Sequence, residues 1–228
     1  MRNVNVAMQQ KPDGSRPIDE LLAAYGAGLL DAPRHALVAS HLLLKPENRA
    51  FVRTIEGALA ERLTHEDGGP VAQRDARLSA IFEAKPAASV RETRGEAGPD
   101  AILPAPLQRF IGKDLDSLGW RFVIPGVREC KLGTFGSGDA SLIHVRAGRR
   151  LPQHTHDGSE LTLVLTGAFG DTQGRYARGD IAFADGAVDH SPRVEDNADC
   201  LCFAVTDAPL RLTGPVGRLI ERFIIRRH

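Results

Sequence analysis

Net charge, long apolar runs and cysteine are all scarce in this sequence. Acidic and basic side chains balance at 29 each. A chain that grips phosphate backbones carries a basic excess or stripe, so direct binding to nucleic acid is not expected. The longest apolar-leaning run, Ala36 to Leu44, is broken by Ser40 and His41. It falls far short of the roughly 20 residues that cross a bilayer, so no membrane span is expected. The first fifteen residues, MRNVNVAMQQKPDGS, lack the apolar centre of an export signal. They read as a frayed tail, which points to a cytoplasmic location. Cysteines number only three, Cys130, Cys200 and Cys202, and the last two sit two apart on one strand. Neighbours on one strand face rarely bridge, so reduced thiols with a packing role are expected.

What is present is ordinary for a globular protein, with 42% hydrophobic and 25% charged residues in 228. That length suits two small domains. Ile18, Leu21, Leu22, Tyr25 and Leu29 recur at helical spacing, loosened at the far end by Gly26 and Gly28. Asp31 can cap a second helix, Pro33 suits its first turn, and Pro46 ends it. A third helix carries Phe51, Val52, Ile55, Leu59 and Leu63, and a weaker fourth carries Leu78, Ile81 and Phe82. Residues 85–106, rich in Pro, Ala, Gly and charge without periodicity, read as a linker. From Trp120 onward, short runs such as SLIHV, LTLVL, DIAFA and CLCFAV alternate with turn residues at roughly ten-residue spacing. The pattern predicts an α+β protein: a tail (1–15), a small helical domain (16–84), a linker (85–106) and an antiparallel β-barrel (107–228).

Ligand-type side chains concentrate in GRRLPQHTHDGSELTLVLTG. His154 and His156, two apart, leave the same face of a strand. Asp157-Gly158 is a turn dipeptide, after which Glu160 can return its carboxylate to the same side. His190 follows another strand and turn and joins the others only if the sheet closes. Three imidazoles and a carboxylate suit one divalent ion, zinc, iron, manganese or nickel; the donor set alone does not choose among them, and zinc is the expectation carried forward.

These residues carry a resemblance to the cupin superfamily, whose fold is an RmlC-like jelly roll. The first cupin pattern, G-x5-H-x-H-x3-E-x6-G, matches at Gly148, His154, His156, Glu160 and Gly167. In the second, Gly179 and His190 fall at the expected spacing. Asp185, Ala187 and Val194 replace the usual Pro, Gly and Asn, which alters a turn but no ligand.

Taken whole, the chain resembles ChrR-type anti-sigma factors, through DELLAAYGAG, VASHLLLKPENR, HTHDGSELTLVLTGAFGDTQGRYARGDI and CFAVTDAPLR. The resemblance implies that the helical domain grips an extracytoplasmic-function sigma factor while the cupin-like domain answers oxidative or other small-molecule signals. It also implies an N-terminal zinc held by an early His and an H-x3-C-x2-C motif. Here His41 remains, Lys45 and Asn48 stand at the cysteine positions, and Arg16 stands at the early His. A lone imidazole beside an ammonium makes no structural zinc site, so this zinc is expected to be absent and the helices to be held by apolar packing of Leu37, Leu42, Phe51, Ile55 and Leu59. The alternative is a metal-dependent cupin enzyme of dioxygenase type, for which Asp157, Asp189 and His144 are the acid–base candidates. A third reading makes the metal a purely structural clamp.

Overall fold

The computed structural model describes residues 17–64, 69–84, 101–136 and 138–214. The N-terminal tail, Arg16 and most of the linker lie outside these residues. Among these residues four helices come first: α1 (Pro17–Gly26), α2 (Ala32–Leu44), α3 (Arg49–Thr64) and α4 (Arg74–Glu83). The end of α1 turns at Gly28, whose φ of +69° lets Leu29 N–H reach Ala24 O and Gly28 N–H reach Tyr25 O. Asp31 caps α2 by accepting from Arg34 N–H at 3.1 Å, and α2 stops at Lys45, just before Pro46.

A short helix, α5 (Ala105–Ile111), begins within the stretch read as linker and ends at Gly112 with φ +66°. Its Leu107 is fully buried, and Phe110 meets Phe203 edge-on at 5.8 Å between centroids. Among the described residues eleven strands follow: β1 (Arg121–Ile124), β2 (Val127–Phe135), β3 (Gly138–Val145), β4 (His154–His156), β5 (Glu160–Thr166), β6 (Ala168–Gly170), β7 (Arg175–Ala177), β8 (Ile181–Ala184), β9 (Arg193–Val194), β10 (Cys200–Thr206) and β11 (Leu210–Leu212).

Among the described residues all strand pairs are antiparallel, but they do not form one closed barrel. They form a six-stranded sheet (β1-β2-β3-β10-β5-β8), a three-stranded sheet (β7-β6-β9) and the pair β11-β4. The two larger sheets pack through Val145, Val164, Cys200 and Cys202 on one side and Phe169, Tyr176 and Val194 on the other. This is a jelly-roll sandwich rather than a continuous cylinder. The chain changes sheets at Gly167, where φ is +69° and an added Cβ would lie 2.4 Å from Asp199 O. Only glycine fits so tight a corner.

Strand β10 explains the unbroken apolar run CLCFAV. Cys200 and Cys202 face the sandwich interior, whereas Leu201, Phe203 and Val205 face a second core shared with Leu22, Leu37 and Val38 of α1 and α2 and Leu107 of α5. Both faces are covered, so alternation disappears. The helical face differs from its expectation. Leu37 and Leu42 are buried, but Phe51 and Leu59 are more than a third exposed, and Val52 is the buried residue of α3. On α4 no residue is buried, and Phe82 is 83% exposed.

Candidate metal centre

Strand β4 places His154 and His156 at its two ends with β11 alongside, Leu212 opposite His154 and Leu210 opposite His156. The two rings leave the same face, with centroids 5.1 Å apart. His190 comes from 34 residues beyond and is fastened by a reciprocal backbone pair, His154 N–H to His190 O at 2.9 Å and His190 N–H to His154 O at 3.0 Å. That bridge supplies the closure the sequence could only require. One nitrogen from each of His154, His156 and His190 lies within 4.8 Å of the others, and all three residues are buried. Glu160, opening β5, brings Oε2 to 3.1 Å from His156 Nε2. Its other oxygen accepts from Thr162 Oγ1 at 2.7 Å.

The outer nitrogens identify which atoms point inward. His154 Nδ1 donates to Pro152 O at 2.8 Å, and His190 Nδ1 donates to Asp171 Oδ2 at 2.7 Å. With those protons committed, the two Nε2 atoms present lone pairs to each other at 3.1 Å. Two lone pairs at that distance repel unless a cation lies between them. Two nitrogens each about 2.1 Å from one ion can lie no more than about 4.2 Å apart, so this separation leaves a shared ion within reach of both. His156 sharpens the test: both its ring nitrogens are buried without a hydrogen-bond partner, and its approach to Glu160 is off the ring N–H axis. Leaving such groups unsatisfied costs about 1–3 kcal/mol each. A shared cation would relieve the lone-pair repulsion and engage one of the two His156 nitrogens, so the residues present fit a metal.

Protonation agrees. Burial holds His154 and His156 below their ordinary range, which keeps both imidazoles neutral near pH 7 and free to ligate. Burial alone would raise Asp171, but the His190 hydrogen bond and the Gln173 and Gly174 amides outweigh it and hold the carboxyl below its usual range. Asp171 is therefore an anion behind His190, in the carboxylate–histidine arrangement common behind metal ligands. A cavity of about 70 Å³ opens beside the cluster. His154, Glu160 and His190 line one wall, and Ile143, Leu151, Phe169 and Val194 are among its apolar remainder. It has room for a few waters or a small ligand.

Residues 108–209 match the family described as the ChrR Cupin-like domain. Over 205 residues, 90% of this chain and 95% of the relative, the sequence is 37% identical to the anti-sigma-E factor ChrR of Cereibacter sphaeroides. The chain belongs to the ChrR family. A solved relative, ChrR of Rhodobacter sphaeroides in complex with SigE, overlays with a TM-score of 0.70 at 34% identity, covering 83% of this chain and 96% of that one. Among the described residues of this ChrR-family chain, no helix is long and apolar enough to cross a membrane.

The residues weighed for acid–base chemistry lie elsewhere in this ChrR-family structure. Asp157 faces Arg211 at 3.5 Å, Asp189 accepts from Gln153 and Thr213, and His144 pairs with Asp199 at 3.2 Å. None of the three lines the cavity. Cys200 and Cys202 do line it, with sulfurs 3.5 Å apart. The hydrogen bond between them and complete burial push the Cys202 thiol well above its ordinary range, so it is a protonated packing group. Two residues that touch the cluster escaped the sequence reading, Asp171 and Thr162. The DTQG turn marks Asp171 as a turn former, but nothing local points its second oxygen at His190.

Proposed function

We propose that this chain is an anti-sigma factor. Its helices sequester an extracytoplasmic-function sigma factor in the cytoplasm, and its cupin-like half holds one divalent metal through His154, His156, Glu160 and His190. The observation that carries this is the end-to-end likeness to ChrR, which takes in helices and strands together and extends to a relative solved with SigE bound. The helical surface supports it. Leu63, Ile81 and Phe82 are 72%, 67% and 83% exposed on α3 and α4. Large apolar side chains left bare at this level suit a protein partner.

The metal half supports a responsive role. Three of the four donors, His154, Glu160 and His190, line a small apolar cavity, so an ion there would supply Lewis acidity and an anchoring point for an oxygen-bearing signal. The chain's own residues do the rest: Asp171 and Pro152 O hold two imidazoles in one tautomer, and Thr162 orients the Glu160 carboxylate. Zinc is the first choice for this donor set, with oxidative chemistry as the stimulus. Co-expression of the full chain with extracytoplasmic-function sigma factors, followed by size-exclusion chromatography, tests the central assignment. A one-to-one complex is expected; failure to bind any of them would overturn it.

A further inference from the structure

The end of α2 meets the turn between β7 and β8 in an unusually close contact. His41 is 4% exposed, and its Nδ1 lies 2.6 Å from Gly179 O. Its Nε2 lies 2.8 Å from Asn48 Nδ2. With Nδ1 donating to the carbonyl and Nε2 accepting from the carboxamide, both ring nitrogens are satisfied. One residue further along the turn, Asp180 Oδ1 pairs with Lys45 Nζ at 2.9 Å. Gly179 itself has φ +87°, and an added Cβ would come within 2.8 Å of Leu44 Cβ and 3.1 Å of Lys45 Cγ. Backbone and side chains are so close here that a larger residue would force them apart.

His41, Lys45 and Asn48 stand at the positions where the ChrR-type resemblance implies zinc ligands, and they do not fit one. The only imidazole has no free lone pair, position 45 carries an ammonium engaged with Asp180, and position 48 offers an amide NH2 to His41. Those three residues instead bind protein.

We propose that His41, Lys45 and Asn48 form a metal-free clasp that locks α2 onto the Gly179–Asp180 turn and so couples the helices to strand β8. That strand begins at Ile181, and its Ala182 and Ala184 line the cavity beside the candidate metal centre. The clasp thereby joins the cavity wall to the helical half through two residues of backbone. Arg34, which reaches both Asp31 and Asp207, adds a second polar tie between the same halves.

Hydrogen exchange on the full chain tests this through three amides: Lys45 N–H, bonded to His41 O, Gly179 N–H, bonded to Val164 O, and Asp180 N–H, bonded to Ala177 O. Asn48→Ala is expected to speed exchange at all three together, by about fivefold, the scale of one net hydrogen bond. Gly179→Ala, which attacks the clasp from the other side, is expected to expose Lys45 N–H as well. Stripping the wild-type protein with a chelator is expected to leave Lys45 N–H protected. The proposal is overturned if Asn48→Ala and Gly179→Ala each loosen only their own side, or if chelation releases a second zinc equivalent and unprotects α2.

Discussion

Replacing Asp171 probes the metal centre without touching any of its four candidate ligands. The side chain is 3% exposed; Oδ2 accepts from His190 Nδ1 at 2.7 Å and Oδ1 accepts from the Gln173 and Gly174 amides. In Asp171→Asn the carboxamide oxygen can keep the two backbone bonds, which leaves its NH2 facing the His190 N–H. Two buried donors repel, and the relief open to the ring is to move its proton to Nε2, the atom that points at the ion. Loss of such an outer partner weakens metal binding about 10- to 100-fold. That corresponds to roughly 1.4–2.8 kcal/mol. Because the amide also favours the wrong tautomer, the upper end is expected for Asn, and less for Asp171→Ala, where water can accept the proton. Competition against a chromogenic chelator measures the affinity, and circular dichroism confirms the fold. If Asp171→Asn binds the ion as tightly as wild type, the tautomer argument fails.

Other outcomes follow from the same structure. Phe203→Ala removes a fully buried ring that packs against Phe110 of α5, so it should cost about 3–5 kcal/mol in urea unfolding. Burial holds His41 below its ordinary value near 6.5, so the unfolded chain binds the extra proton there. Stability should therefore be complete above that value and fall as pH drops through the window between it and the lower folded value. The slope is at most about 1.4 kcal/mol per pH unit for this residue, and part of it should vanish in His41→Gln. Ile81→Asp with Phe82→Asp should weaken sigma-factor binding at least about tenfold while shifting stability by less than about 0.5 kcal/mol, since both side chains are exposed. Isothermal titration with matched unfolding curves would show either pattern.

The legible part of the centre was the local part. His154, His156 and Glu160 lie within seven residues, where strand period and a turn dipeptide decide direction. His190 was reachable only through its spacing from Gly179, because the backbone bridge that delivers it joins segments far apart in sequence. Asp171 was out of reach for the same reason, with no motif to help. Helix α5 was missed although Leu107, Phe110 and Ile111 have helical spacing before Gly112, because seven residues after a proline-rich stretch give periodicity little to show. On α3 the apolar stripe of Phe51, Ile55 and Leu59 was real, but periodicity does not say what covers it. The expected jelly roll is present, its sheets facing each other rather than closing into one cylinder, with Gly167 turning the chain from one to the other.

Anomalous diffraction from crystals of the full chain, collected at metal absorption edges, tests the account most directly. One strong peak is predicted, within about 2.0–2.3 Å of donor atoms on His154, His156, Glu160 and His190, with none beside His41. A protein with no peak at that cluster, or with a second ion on His41, would contradict it.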